Sequence, residues 1–243
     1  PGFKQLRVIA LNTSLFSVHA KGREIDPFSQ KQLQWLKKTL MRAKRKHQQV
    51  LLLFHIPPEI NAFSTLKSRQ QAVKMFWRKP LQKNFFKVIS PAAKNILGVL
   101  TGHVHMDGFS LIQLSGARSV VDIYTSSVSP IFGNNPGYKL FSWNTKTRAL
   151  TNYTTYYLPL NGDLHWQKEY SFHQAYQSSC KKHCTLLGGI QHLRKTGITA
   201  NYFIYSYVAA KNRTILMSRW LTYFLCVAHN VKQVSYKSCL RLV

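Results

Sequence analysis

The apolar positions of the first fifty residues change from a strand pattern to a helical pattern. Residues 6–13 ("LRVIALNT") are mostly β-branched or apolar, which predicts a buried strand. Pro27 and Ser29 then provide helix-start signals. Four apolar residues follow at helical spacing within residues 30–49, namely Leu33, Leu36, Leu40 and Ala43. This spacing predicts an amphipathic helix whose opposite face is basic.

Two further apolar runs and a second helical segment extend this alternation. Residues 50–56 ("VLLLFHI") form a run long enough for a strand buried on both faces, and Pro57 stops it. Residues 68–89 have a helical pattern broken near Pro80, and residues 95–102 ("NILGVLTG") predict another buried strand. The order strand, helix, strand, helix, strand indicates the α/β class.

The pattern changes after this alternation. Short strand-like runs joined by turn signals follow, "FSLIQL", "SVVDIYTSSV", "YKLFSWN" and "LTNYTTYYL", which predict an antiparallel meander. From about residue 165 the chain is polar, aromatic and mostly helical in pattern. We therefore expect a main domain over residues 1–160 and a small, mainly helical subdomain over residues 161–243.

Three histidines lie just past the ends of two predicted strands. His55 follows "VLLLF", and His103 and His105 follow "ILGVL". In α/β sheets, functional groups cluster at this edge, and residues two apart in an extended segment point to the same side. A single histidine is more often a hydrogen-bonded core residue. Three histidines at one edge of a sheet, however, predict a metal site, and two of these lie in "GHVH". Imidazole binds zinc, iron and manganese.

Carboxylates, the other ligands that a two-metal site needs, are scarce. The chain has seven: Glu24, Asp26, Glu59, Asp107, Asp122, Asp163 and Glu169. None ends a strand upstream of His55. Asp107 is near the histidines in sequence, and we expect it to orient one of them by accepting a hydrogen bond. The residues alone therefore predict half of a metal site, and no catalytic residue is identified.

The charge balance is strongly basic, with 34 Lys and Arg against 7 Asp and Glu, a formal net charge of +27. Such a field attracts anionic membranes, nucleic acid or phosphorylated substrates. The basic residues are scattered and no nucleic-acid-binding motif accompanies them, so no specific nucleic-acid partner is expected. No apolar run reaches the roughly 18 residues that a membrane span needs.

All four cysteines lie late in the chain: Cys180, Cys184, Cys226 and Cys239. An even number within one segment suggests local disulfides and an oxidising compartment, whether secreted, periplasmic or lysosome-like. Four reduced, buried thiols are the alternative. The spacing in "CKKHC" matches no standard zinc ligand set.

An ordered set of short segments resembles the calcineurin-like metallophosphoesterases. "LFHIPP" and "TGHVHMD" are similar to the last two metal-binding motifs of that family. The segments "DPFSQKQLQWL", "YTSSVSPIFGNNPGYKLF" and "WQKEYSFHQAYQ" narrow the resemblance to the acid sphingomyelinase-like phosphodiesterase branch. The resemblance implies the C-terminal part of an α/β/β/α sandwich that lacks its N-terminal half, followed by a helical subdomain.

The resemblance also implies a chemistry and a set of ligands. Two divalent ions, zinc first and manganese or iron as alternatives, would activate water for attack on a phosphodiester. His55 and His103 would bind one ion and His105 the other. The substrate would be a phospholipid head group or a nucleotide. The family's earlier motifs, with their aspartates and asparagine, are absent, and a glutamate, Glu59, replaces the usual glycine after "HIPP".

The cysteine spacing is similar to this branch as well, and it implies the pairs Cys180–Cys184 and Cys226–Cys239. The chain opens directly on an apolar run, which is expected of a chain cut inside a domain. We therefore predict very weak or no turnover from this chain alone. A non-catalytic remnant or pseudoenzyme is one alternative function, and a basic module that binds anionic membrane or nucleic acid is another.

Overall fold

The structure is a computed structural model that describes residues 5–68, 72–176, 185–196, 205–206 and 220–241. Its strands are β1 (Leu6–Leu11), β2 (Gln49–Phe54), β3 (Ile96–Thr101), β4 (Gly108–Gln113), β5 (Ser119–Tyr124), β6 (Gly137–Asn144), β7 (Ala149–Tyr157) and β8 (Gln167–Ser171). Its helices are α1 (Ile25–Arg45), α2 (Ala62–Leu66), α3 (Lys79–Ile89), α4 (Phe172–Tyr176), α5 (Leu186–Thr196), α6 (Trp220–His229) and α7 (Gln233–Leu240). The predicted α/β class is confirmed.

The strands form two sheets. The first has the order β1-β2-β3-β5-β4 and is parallel except for β4, and the second is the antiparallel order β6-β7-β8. The prediction of one antiparallel meander is therefore wrong for β4 and β5. They form a hairpin, but β5 lies between β4 and β3 and pairs with β3 in parallel. Local periodicity identifies a strand without identifying its neighbours.

Helices α1 and α3 cover one face of the first sheet. The four apolar residues of the predicted amphipathic helix are buried on α1, with Leu36, Leu40 and Ala43 fully inaccessible. The predicted helix over residues 68–89 begins only at Lys79, and residues 72–78 are not helical. Instead, Met75 and Trp77 form isolated bridges with Ile60 and Ser17. Pro80 explains the late start, because proline lacks an N–H and is best tolerated in the first turn of a helix.

Among the described residues, the other face of the first sheet is covered only at one end. A row of register partners crosses the sheet from β1 to β4, in the order Ala10, Leu53, Leu100, Ile123 and Phe109. Phe109 and Ile123 are buried against the second sheet, whereas Leu53 is 45% exposed. The prediction that β2 is buried on both faces is therefore wrong, and the outer face of β1 and β2 is an open apolar surface.

The described part of the C-terminal region is mainly helical, as predicted. Strand β8 pairs with β7, although it lies beyond the predicted domain division at residue 160, which stays a prediction. Helix α6 packs on β4, and the loop after β2 packs against α6 and α7 through Ile60. Within the described residues, no helix has the length and apolar character to cross a membrane.

A disulfide between Cys226 and Cys239 joins α6 to α7, as predicted. Cys180 and Cys184 lie outside the described residues. The bond restricts the conformations of the unfolded chain. Replacing the pair (Cys226→Ala with Cys239→Ser) should therefore lower the free energy of unfolding by about 3 kcal/mol. Urea unfolding with and without reductant measures this loss. The wild-type protein should respond to reductant, and a variant that is as stable as the oxidised wild type would contradict the expectation.

Candidate metal centre

Two of the three histidines meet where β2 and β3 end. His55 follows β2, and its carbonyl accepts a hydrogen bond from the Gly102 N–H at 3.0 Å. His103 Nδ1 lies 3.2 Å from His55 Nε2, and the two rings are nearly perpendicular. Two nitrogens bound to one tetrahedral zinc ion at 2.0–2.1 Å are about 3.3 Å apart. This pair is therefore spaced as two ligands of a single ion would be.

His105 is near this pair but faces a different neighbour. Its ring packs edge-on against Phe132, with centroids 5.1 Å apart, and its carbonyl accepts a hydrogen bond from Asn134 Nδ2. His105 Nδ1 is buried and has no hydrogen-bond partner in the described part of the chain. A buried ring nitrogen without a partner is costly unless something binds it. The imidazoles present therefore fit the ligand role that the resemblance implies.

The loop that carries these histidines is not extended. His103 and His105 have φ angles of 66° and 59°, in the left-handed region that non-glycine residues rarely adopt. The reasoning that an extended H-x-H segment aims both rings one way is therefore wrong. Both residues nevertheless line one cavity of about 370 Å³. Strained backbone of this kind clusters at functional sites.

The electrostatics around His103 favour its neutral imidazole. Burial lowers the pKa of His103, and positive charge on His55, His105 and His19 lowers it further. A neutral imidazole is the form that binds metal. His103 thus keeps a neutral ring over a wider pH range than an exposed histidine does.

The carboxylates do not complete a centre in the described residues. No group of three or more His, Cys, Asp or Glu side chains there is arranged to hold a metal ion. Several of the acidic side chains are engaged elsewhere: Asp26 with Arg78, Asp163 with His165, Glu59 with Ser110 and Asp122 with Thr101. The prediction of half a site stays a prediction.

Asp107 has a different role from the one predicted. Both of its carboxylate oxygens lie 2.6 Å from Lys139 Nζ, and Oδ2 also accepts from the Thr155 hydroxyl. Its backbone N–H donates to the Ser206 carbonyl. Asp107 therefore ties the end of the histidine loop to the second sheet, and its bonds are to these groups rather than to an imidazole.

Sequence reasoning missed the buried polar residues that support this loop. The Lys139 side chain on β6 is 1% exposed, and its ammonium also lies 4.1 Å from the centre of the Tyr153 ring. Glu59, expected at the rim, is 1% exposed and lines the cavity beside the histidines. The only signal for Lys139 was one charge within an aromatic strand, "YKLFSW".

Comparison with known proteins gives a consistent set of relatives. The family model described as the acid sphingomyelin phosphodiesterase C-terminal region matches residues 117–243, which is 127 of the 243 residues. Sphingomyelinase phosphodiesterase D of Dictyostelium discoideum is 29% identical over 182 residues, covering 70% of this chain and 40% of that protein. Cyclic GMP-AMP phosphodiesterase SMPDL3A of Rattus norvegicus is 26% identical over 253 residues, covering 97% of this chain and 55% of that protein.

The chain thus spans about half the length of these curated relatives. Among solved structures, a dimetal phosphatase from Danio rerio aligns with 54% of this chain and 32% of its own, at 18% identity and a TM-score of 0.30. That score is too low to establish a shared fold. Support for a family therefore comes from the sequence comparisons alone.

Proposed function

Because the chain belongs to the acid sphingomyelin phosphodiesterase family through its C-terminal region, we propose that it is part of a metal-dependent phosphoric ester hydrolase. The observation that carries this proposal is the 3.2 Å approach of His103 Nδ1 to His55 Nε2 at the end of two parallel strands. The relatives are named as phosphodiesterases, which supports a phosphodiester as the substrate. The alternatives of a remnant or a basic binding module are not favoured.

The resemblance implies the proposed ligands, and the geometry of the imidazoles supports them. His55 and His103 are assigned to one divalent ion, because their nitrogens are spaced for a shared ion. His105 is assigned to a second ion through its unpartnered, buried Nδ1. When bound, two such ions supply a nucleophile from water and stabilise negative charge on phosphate oxygens. We propose zinc, with manganese or iron as alternatives, because all three accept imidazole.

The surroundings suggest the setting in which the site would work. The cavity beside His103 and His105 has mostly apolar walls, including Phe63, Phe76 and Phe132, which suits an organic group attached to a phosphodiester. That group would belong to a phospholipid or a nucleotide. The net charge of +27 would favour an anionic membrane surface, and the disulfide between α6 and α7 favours a secreted or lysosome-like oxidising compartment.

Metal binding tests the proposal without requiring activity. The wild-type protein should bind Zn²⁺ or Co²⁺ in titration calorimetry, and His103→Ala should weaken that binding at least about tenfold, because removing a ligand costs no less than removing a group that orients one. His165→Ala is the matched control, because the His165 side chain is 82% exposed and pairs with Asp163. Equal affinity in all three proteins would reject the assignment.

Activity provides a second measurement. With added Zn²⁺ or Mn²⁺, hydrolysis of bis-p-nitrophenyl phosphate by this chain should be very weak or absent, because the described residues supply histidines without the carboxylates that a two-metal centre needs. Strong turnover that His103→Ala abolishes would show that the centre is complete.

A further inference from the structure

Two carboxyl groups lie buried behind the candidate metal centre. Glu59, in the loop after β2, is 1% exposed, and Asp122, in the middle of β5, is fully inaccessible. Ser110 on β4 is the register partner of Asp122, and its hydroxyl donates a hydrogen bond to Glu59 Oε1. The Thr101 hydroxyl donates to Asp122 Oδ1 at 2.8 Å. Residues from four separate elements thus enclose two acids.

These acids have hydroxyl partners and no cationic one. The ion pairs in the described residues are Arg78–Asp26, Lys139–Asp107 and His165–Asp163, and none includes Glu59 or Asp122. Asp122 Oδ2 is buried without a hydrogen-bond partner in the same residues. An ionised carboxylate in such a place is strongly unfavourable, whereas a protonated carboxyl is neutral and can donate a hydrogen bond.

Other titratable groups nearby offer little compensation. The cavity that Glu59 lines also includes His103, His105 and Tyr124, and α6 and α7 bring Tyr223 and Tyr236 to the neighbouring cluster. Burial lowers the pKa of His103, so that imidazole is a poor cation at neutral pH. Each carboxyl therefore has the other acid as its main charged neighbour.

We propose that Glu59 and Asp122 form a buried proton-binding pair that makes the fold most stable at acidic pH. This inference concerns folding and does not require the chain to be a hydrolase. Burial raises the pKa of Glu59 from 4.5 to about 7. Burial also raises the pKa of Asp122 well above its ordinary value, and negative charge on Glu59 raises it further.

The direction of the pH effect follows from proton counts. Between pH 4.5 and about 7, Glu59 is protonated in the folded chain and ionised in the unfolded chain. The folded state therefore binds more protons in this range, and the stability that they provide is fully present below pH 4.5 and is lost as the pH rises through about 7. Through Glu59 alone, the equilibrium constant for unfolding should rise about 300-fold from well below pH 4.5 to well above pH 7.

The test is urea unfolding from pH 4.5 to 8 for wild type, Glu59→Gln and Glu59→Gln/Asp122→Asn. The amides keep the shape of a neutral carboxyl and cannot ionise. We expect the part of the pH-dependent loss that the two acids cause to shrink in the single variant and to disappear in the double variant. Glu24→Gln, an exposed glutamate, is the control and should follow the wild type. Histidine titration contributes equally to the pH dependence of stability in all four proteins. Differences between their pH profiles therefore report on the acid pair.

Parallel pH profiles for the wild type and the double variant would overturn the proposal. Restoration of wild-type stability at pH 8 by added Ca²⁺ would also overturn it, because the pair would then bind a cation rather than protons. If the double variant does not fold, infrared spectra of the folded wild type at pH 6 decide the question. They should contain a carboxylic acid carbonyl band that ¹³C-labelling of Glu and Asp shifts, and its absence would reject the pair.

Discussion

Replacing Lys139 by methionine should destabilise the folded chain by about 3–5 kcal/mol. This is the usual cost of removing one partner of a buried ion pair, because the other charge stays buried without compensation. The Lys139 and Asp107 side chains are 1% and 0% exposed, and the ammonium lies 2.6 Å from both carboxylate oxygens and 2.7 Å from the Thr155 hydroxyl. Methionine fills a similar volume but leaves the carboxylate with only neutral donors. Urea unfolding at neutral pH measures the loss.

A double-mutant cycle separates the ion pair from the packing. Asp107→Asn/Lys139→Met should be more stable than Lys139→Met, because a neutral amide replaces the unpaired charge. Lys146→Met is the matched control, since Lys146 is exposed in the turn after β6, and its effect should stay within about 0.5 kcal/mol. A loss below about 1 kcal/mol for Lys139→Met would show that the pair is not a structural anchor.

Removing the Trp77 side chain should cost about 3–5 kcal/mol. Trp77 is fully buried, and its ring meets Phe16, Phe54 and Phe85 at centroid distances of 4.7, 5.7 and 5.1 Å. Its Nε1–H donates a hydrogen bond to the Ile56 carbonyl at 2.9 Å, directly beside His55. Trp77→Ala therefore loses packing in the main core and leaves a buried carbonyl without its donor.

The control and the conservative variant distinguish these two contributions. Trp35→Ala changes an equally large side chain that is 49% exposed on α1, and it should cost far less. Trp77→Phe keeps most of the packing but removes the N–H donor, and the unsatisfied carbonyl should cost about 1–3 kcal/mol. Thermal or urea unfolding measures all three variants. Similar losses for Trp35→Ala and Trp77→Ala would contradict the packing assigned to Trp77.

Periodic segments were the most predictable parts of the fold. Helix α1 has its apolar face where the spacing of Leu33, Leu36, Leu40 and Ala43 predicts it, because burial of one helical stripe is a local property of the sequence. The strands that precede His55 and His103 were also predicted, and parallel pairing brings their ends together. The histidine pair could therefore be anticipated from the ends of two apolar runs.

Contacts between distant segments could not be predicted. Lys139 and Asp107 are 32 residues apart, and Glu59 and Ser110 are 51 apart, so no local pattern links either pair. The expectation that Asp107 orients a histidine relied on sequence proximity. In the fold, a bend in the loop and a lysine from another sheet direct that carboxylate elsewhere. The non-helical segment before α3 has the same cause, since its bridges involve Ser17 and Ile60.

The left-handed backbone at His103 and His105 has a consequence for stability. Each L-residue held in that conformation costs roughly 1–2 kcal/mol, which a glycine would avoid. In a protein with no use for metal, replacing either histidine by glycine would therefore relieve this cost. The backbone conformation and the imidazole thus favour different residues at these two positions.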